Sequence, residues 1–342
     1  MTAGSQSGAR LTSVLAGLTA GTVVVTALSL MMGSRYVPVA DLLAVLSGGG
    51  SPEAKAVIND FRLPRTLSGL AGGSALAVAG VIMQAHTRNR LADPGLMGVS
   101  AGAAVAVVAA MSFFGASTPL GYVGFAVVGA ALGLVSALAI GFAASRRVDS
   151  SPATLILAGA AVSAFLSAIT GILLLLDSAA LERYRFWTVG SLAAVRGFDV
   201  LAIASPMIVV GLILALLHSR SLDVLALGEA LASALGRSIA LTRIAGLAVV
   251  TLLVGGAIAC CGSLAFVGLV VPNALRLLGV TAHRWLIGLA ALGGGTLTLA
   301  ADILGRFLVH PGELAVGVVL SIVGGPLFIA LVVRQARGGV RL

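Results

Sequence analysis

Long apolar runs alternate with short polar stretches along the whole chain. An α-helix needs about 20 mostly apolar residues to cross the hydrocarbon core of a bilayer, and windows of that length recur throughout. A single unbroken helix over 244–275 would be too long for one crossing, so we place a turn near 260–265. The pattern then predicts ten spans, near residues 11–33, 64–85, 95–114, 121–144, 152–176, 198–218, 239–260, 262–279, 286–305 and 315–333.

Composition supports the same fold class. The chain is 59% hydrophobic and 10% charged, whereas a typical soluble domain is about 25% charged. It has 45 glycines, and small residues allow helices to pack closely in lipid. Cys260 and Cys261 are expected to serve as small packing residues. We predict an all-α polytopic membrane protein with one membrane domain over residues 1–342.

The basic residues predict the orientation. Thirteen of the 21 lysines and arginines fall on one side of the predicted membrane and eight on the other. Because basic residues collect on the cytoplasmic side, both termini are predicted to be cytoplasmic. Arg62 and Arg65, in the stretch FRLPRTLSG (61–69), then lie on the outer side, at the predicted start of the second helix. A positive charge there opposes the helix dipole, so lipid phosphate or a partner protein must explain it.

The sequence lacks the motifs that several classes of protein require. The nucleotide-binding motif Gly-x-x-x-x-Gly-Lys-Ser/Thr is missing, and the only lysine, Lys55, lies between two alanines. No His-Glu-x-x-His motif occurs, and the histidines lie at loop edges, where we expect them to be solvated (His86, His218, His283, His310). The arginines are scattered without interleaved aromatic residues, which argues against a nucleic acid partner. We therefore predict no catalytic residue, no metal site and no cofactor in this chain.

An ion-driven carrier usually has ionisable residues near the middle of its spans. Asp302 comes nearest, but it lies near an outer end with Arg306 one turn later, a spacing typical of a local helix contact. The energy source is therefore predicted to be a partner protein. A stand-alone ion-coupled secondary transporter stays open as an alternative, and an intramembrane enzyme is a third.

Four blocks of sequence resemble one known family. They are RLPRTLSGLAGGSALAVAGVIMQ (62–84), RNRLADPGLMGVSAGAA (88–104), SLDVLALGEALASALGR (221–237), and the pair GSLAFVGLVVPNALRLLGVTAHRWL (262–286) and ADILGRFLVHPGELAVGVVLSIVGGPLF (301–328). In order and spacing they resemble the FecCD family, the permease subunits of ABC importers for iron–siderophores, haem and vitamin B12. The similarity extends over nearly the whole chain.

The resemblance implies a type II ABC importer permease in the bacterial cytoplasmic membrane. Such a permease pairs with a second permease subunit, of the same or a homologous chain. Two cytoplasmic ATPase subunits bind ATP and Mg, and an extracytoplasmic substrate-binding protein delivers the cargo. The expected cargo is a ferric siderophore, with haem and then vitamin B12 as alternatives.

The resemblance also implies roles for individual residues. Docking of the binding protein is expected at Arg62, Arg65 and Arg306. A cytoplasmic loop at about 219–238 is expected to couple to the ATPase through Leu225, Leu227, Gly228, Glu229, Ala232, Leu235 and Gly236. A cytoplasmic gate is expected at Asn89, Leu91, Ser151 and Pro152.

Local patterns refine these expectations. The sequence of residues 219–238 predicts a pair of short helices broken at a glycine. A solvated loop that only joins two spans is the alternative. The chain departs from the family pattern at Arg90, Asn273 and Ala315, where the family favours proline, histidine and proline. Glu313 is predicted either to act as a helix-start acid or to have a functional role.

Overall fold

The computed structural model describes residues 3–33, 37–145, 152–236, 238–309 and 312–337, which form helices and their connections. In chain order the helices are α1 (Ala3–Met31), α2 (Val39–Leu46), α3 (Pro52–Ala56), α4 (Leu63–Thr87), α5 (Val99–Phe113), α6 (Pro119–Ser145), α7 (Pro152–Leu176), α8 (Ser178–Val189), α9 (Asp199–Ala226), α10 (Glu229–Ala234), α11 (Ile239–Cys261), α12 (Val267–Leu277), α13 (His283–Leu308) and α14 (Val316–Arg337).

One helix lies on each of the ten predicted spans, which confirms the all-α membrane fold. Seven helical segments within the described ranges are long and apolar enough to cross a membrane. The apolar helices Val99–Phe113, Val267–Leu277 and Val316–Ala330 are shorter.

The predicted span at 262–279 is wrong as a continuous helix. Its helical part, α12, has 11 residues and is therefore about 16 Å long, roughly half the thickness of the hydrocarbon core. The chain reaches it through a non-helical segment that ends at Phe266, whose backbone is left-handed with φ 68°. Non-helical backbone at membrane depth is tolerated where other parts of the protein cover it.

The second predicted span begins earlier than expected. A π-helical turn, Val57–Arg62, joins α3 to α4, so helical backbone continues from Pro52 to Thr87. Pro64 lies inside this run and has no N–H with which to bond the carbonyl of Asp60, four residues before it. That carbonyl instead accepts a hydrogen bond from the Gly197 N–H at 2.9 Å.

The core of the molecule forms around α4. Residues 75–83 of this helix are all buried. Gly73 of α4 lies against Gly294 of α13 so closely that a Cβ on either residue would collide with the other's carbonyl oxygen. A Cβ on Gly80 would likewise collide with the backbone of Gly268 in α12. These contacts agree with the predicted packing role of glycine.

The adjacent cysteines also pack as predicted. Cys260 and Cys261 are both buried, and neither forms a disulfide. The Cys261 Sγ lies 3.3 Å from the carbonyl oxygen of Ser68 in α4. A Cβ at Gly72 of α4 would also collide with this sulfur, so α11 and α4 are in close contact here.

The predicted coupling loop is partly helical. α9 continues to Ala226, past its predicted end at 218, and supplies the first helical part of the loop. The chain breaks at Gly228, whose φ of 113° favours glycine, and α10 follows at once. The predicted pair of helices broken at a glycine is therefore present, although the first is the end of a long span.

Candidate functional site

Five charged side chains meet where the start of α4 lies beside the end of α13. This arginine cluster consists of Arg62, Arg65, Asp302, Arg306 and Glu313. Asp302 lies at its centre with a side chain that is 1% exposed. Arg65 donates to it twice, from Nη2 to Oδ1 at 2.7 Å and from Nε to Oδ2 at 3.1 Å.

Arg306 binds the same carboxylate from within α13, as its i,i+4 spacing predicted. Its Nε and Nη2 donate to Asp302, and Nη2 also reaches the Ser29 hydroxyl. Nη1 donates to the carbonyl oxygens of Ser29 at 3.0 Å and Met32 at 2.6 Å. These bonds engage all five N–H groups of the guanidinium, and the side chain is 4% exposed. A docking contact by Arg306 would require some of these bonds to open.

Arg62 is also buried. Its Nη1 donates to the carbonyl oxygen of Leu30, near the end of α1, at 2.7 Å. Arg62 Nη2 lies so close to Gly33 that a Cβ there would be 3.0 Å away. Arg62 and Arg306 thus both hold the end of α1 against α4 and α13. Both guanidinium groups are therefore largely engaged by other parts of the protein.

Arg65 forms the open edge of the cluster. Its Nη1 lies 2.9 Å from Oε2 of Glu313, whose side chain is 32% exposed, whereas that of Arg65 is 13% exposed. Glu313 precedes α14 by three residues, and its contact is with the start of α4. Three arginines and two carboxylates leave the arginine cluster with one net positive charge.

The predicted coupling loop lies at the other end of α4 and α13. Leu225 and Ala232 are buried within it, whereas three leucines spaced four residues apart are exposed. These exposed leucines are Leu227 at 61%, Leu231 at 49% and Leu235 at 58%.

Two further coupling residues are described by their backbone. Gly236 has a φ of 75°, which is favourable for glycine, and it ends the helical turn after α10. Glu229 is the first residue of α10.

α13 extends from the coupling loop to the arginine cluster. Near its start, Asp223 Oδ1 accepts the backbone N–H of His283 at 3.1 Å and lies 2.7 Å from the Nδ1 of that ring. Asp223 belongs to the last turns of α9, just before the exposed leucines. From His283 to Asp302 the helix rises about 28 Å, so one rigid element contacts both the coupling loop and the arginine cluster.

The expectation of solvated histidines is wrong for at least two of them. His86 and His283 are buried, and the His86 ring meets that of His218 edge-on at 5.7 Å between centroids. Both buried rings lie at helix ends that pack against neighbouring helices, which hydropathy alone does not show. His310 lies outside the described residues.

The predicted gate residues Asn89 and Leu91 form a compact turn after α4. The Asn89 Oδ1 accepts the Leu91 N–H at 2.9 Å. Two of the departures from the family pattern meet here, because the Asn273 side-chain amide donates to the Arg90 carbonyl oxygen at 2.8 Å. These bonds fix the shape of the turn and attach it to α12.

The second predicted gate segment is only partly described. Ser151 lies outside the described residues, and Pro152 is described as the first residue of α7. In the first gate loop, Asp93 accepts the Gly95 N–H at 2.8 Å. Burial raises the pKa of the Asp93 carboxyl to about 6.

Known proteins match this chain over nearly its full length. The model of the FecCD transport family matches residues 21–334. The ferric enterobactin transport system permease protein of Escherichia coli K12 is 41% identical, over 93% of this chain and 94% of that protein. The hemin transport system permease protein of Yersinia pestis is also 41% identical, over 81% and 83%.

A solved structure has the same fold. It is an inward-facing conformation of an ABC transporter assigned to the metal-chelate type, with a TM-score of 0.82 and 29% identity. The match covers 94% of this chain and 99% of that one. The resemblance found in the four sequence blocks is confirmed, and the chain belongs to the FecCD transport family.

Proposed function

We propose that this chain is the membrane-spanning permease subunit of an ABC importer that carries a ferric siderophore into the cytoplasm. The observation that supports this most strongly is the family match over residues 21–334. The fold agrees, because it superimposes on nearly all of a permease from a metal-chelate type transporter. A relative at 41% identity transports ferric enterobactin, which favours a siderophore as cargo.

Haem is the second candidate cargo. The hemin permease of Yersinia pestis has the same identity to this chain, although its match covers less of both proteins. Vitamin B12 follows as a third cargo of the same kind of machine. All three are bulky metal chelates, and a path with few charges would let such cargo pass without a tight site that holds it.

The ATP is hydrolysed, in this proposal, by two cytoplasmic ATPase subunits that bind the coupling loop. The exposed leucines support this, because clustered apolar side chains in water are typical of protein interfaces. Leu225 and Ala232 are buried beside them and would fix the loop in shape. Closure of the ATPase would then reach the spans directly, since the first part of the loop is the end of α9.

An ABC importer of this kind has two further partners. A second permease subunit completes the translocation path, and a substrate-binding protein docks at the arginine cluster. In this arrangement the arginine cluster faces the outside of the bacterial cytoplasmic membrane and both termini face the cytoplasm. Docking there agrees with the net positive charge of the cluster, which favours an acidic partner surface.

Reconstitution tests the proposal. The permease is assembled with its ATPase subunits in lipid nanodiscs and proteoliposomes, and binding proteins of the same organism are added with ferric siderophores, haem or cobalamin. We expect one binding protein to stimulate ATP hydrolysis and to support uptake of its ferric siderophore. Uptake by the permease alone that a protonophore abolishes would establish the ion-coupled carrier instead. Uptake of haem or cobalamin without uptake of a siderophore would show that the protein is an ABC importer permease with a different cargo.

A further inference from the structure

We propose that Glu313 is an internal substitute for a partner's carboxylate, which occupies Arg65 in the free permease and is exchanged for an acidic side chain of the docking protein. The inference rests on the proposed function and adds the mechanism by which the cluster accepts its partner. It also limits the exchange to one arginine of the three.

The two carboxylates that bind Arg65 are held very differently. Asp302 makes two hydrogen bonds to it and is almost completely buried. Glu313 contacts Arg65 Nη1 at 2.9 Å, with about a third of its side chain exposed. Breaking a buried pair leaves an uncompensated charge, whereas an exposed pair contributes little and exchanges readily. The bond to Glu313 is therefore the one that a partner can replace.

The exchange requires only a side-chain rotation. The backbone next to Glu313 is fixed, because the Leu314 N–H donates to the Gly305 carbonyl oxygen at 3.0 Å. Gly305 lies so close that any Cβ on it would collide with the Leu314 carbonyl oxygen. Three residues after Leu314, the Gly317 N–H donates to the Gly190 carbonyl oxygen at 3.1 Å. The Glu313 side chain can swing away from Arg65 while this segment keeps its place.

Charge balance identifies the chemistry of the replacement. With Glu313 in place the arginine cluster has one net positive charge, and when Glu313 swings away the local excess rises to two. A carboxylate from the partner restores the original balance, whereas a neutral or basic group does not. Arg306 cannot serve as the exchange point without losing bonds to Asp302, Ser29 or Met32. Arg65 is thus the arginine whose partner changes.

The decisive variant is Glu313→Gln, which removes the competing charge and leaves the buried pair intact. Its binding is measured with the binding protein that stimulates ATP hydrolysis by the complex, on the complex in nanodiscs by biolayer interferometry. We expect about two- to five-fold tighter binding at low salt, the range for loss of one exposed ion pair. The gain should shrink at high salt, because exposed charges are screened.

The matched control is Glu182→Gln. Glu182 also forms an exposed ion pair, with Arg185 at 2.7 Å, but on α8 and outside the arginine cluster. It removes the same charge from the same predicted side of the membrane, and we expect little change in affinity. In an Arg65→Gln background, Glu313→Gln should no longer tighten binding.

Unchanged or weaker binding of Glu313→Gln would overturn the inference. Equal tightening by Glu182→Gln would also overturn it, because net charge would then explain the effect. A gain that persists without Arg65 would show that Glu313 competes elsewhere. These results differ from failure of the proposed function, in which the unaltered complex responds to no binding protein and the inference falls with it.

Discussion

The two ends of α13 present opposite kinds of surface. At one end, three arginines are drawn inward by Asp302, by backbone carbonyls near the end of α1, and by Glu313. At the other end, the exposed leucines have no such internal cover over about half or more of each side chain. Charged residues are thus largely satisfied inside the protein, while apolar ones are exposed. A partner can therefore contact the leucines as they stand, whereas at the arginine cluster it must first replace an internal contact.

The largest effect should come from the buried carboxylate of the arginine cluster. Asp302→Ala leaves Arg65 and Arg306 buried without their shared partner. Removing one side of a buried ion pair typically costs about 3–5 kcal/mol. We expect a large fall in Tm in detergent and poor recovery of folded protein on size exclusion. Glu182→Ala, in an exposed pair, is the control with little expected change. An unaltered Tm for Asp302→Ala would mean that this end is not held together by charge.

The next largest effect should come from the exposed leucines at the opposite end of α13. Leu231→Ala should leave folding intact because the side chain is half exposed. If the exposed leucines bind the ATPase, each truncation should weaken assembly by about 1–2 kcal/mol, because the interface would bury the exposed half of each side chain. Binding of the purified ATPase subunit to the permease in nanodiscs measures this, with the neighbouring Ser233→Ala as control. Full assembly by the Leu231→Ala, Leu235→Ala double variant would remove the coupling role from these side chains.

A smaller effect should follow from cutting the link between α13 and the coupling loop. Asp223→Ala removes the side chain that accepts the His283 N–H and binds its ring. Loss of a helix cap costs about 1 kcal/mol, so Tm should fall modestly while ATPase binding is retained. Asp199→Ala, at the far end of α9, is the comparison variant with a carboxylate on the same helix. An equal fall in Tm for both variants would show that the link to α13 adds nothing specific.

The smallest effect is a pH dependence at Asp93. Unlike Asp302, which two arginines neutralise, Asp93 has a pKa raised to about 6 by burial. A raised carboxyl pKa favours the folded state when the group is protonated, so this contribution is complete below about pH 4 and is lost as pH rises through 6. Asp93→Asn should therefore raise Tm by a few degrees at pH 7 and flatten its change between pH 4 and 7. A Tm profile identical to that of the unaltered protein would contradict the raised pKa.

Hydropathy predicts most of this fold because lipid imposes one requirement, about 20 apolar residues for each crossing. It fails at α12, where non-helical backbone before Val267 replaces part of a helix. It also misses the helical backbone that runs from Pro52 into α4, where the Gly197 N–H takes over the carbonyl that Pro64 cannot bond. Gly197 is distant in sequence from Asp60, so local sequence does not reveal this bond.

The same limit applies to the candidate site. The Asp302–Arg306 contact is predictable, since residues four apart share a helix face. The bonds from Arg65 to Asp302 and Glu313 depend on how α4 meets α13, and that depends on the contact between Gly73 and Gly294. Sequence alone therefore identified the arginines as unusual, and it identified the partner of Arg306 but not those of Arg62 and Arg65.

The most direct test is uptake of a radiolabelled ferric siderophore into proteoliposomes that contain the permease and its ATPase subunits. The account predicts accumulation that requires both ATP and the loaded binding protein, and that persists when a protonophore collapses the ion gradient. Accumulation without ATP or without the ATPase subunits would contradict it, because an ion gradient coupled through this chain would then supply the driving force.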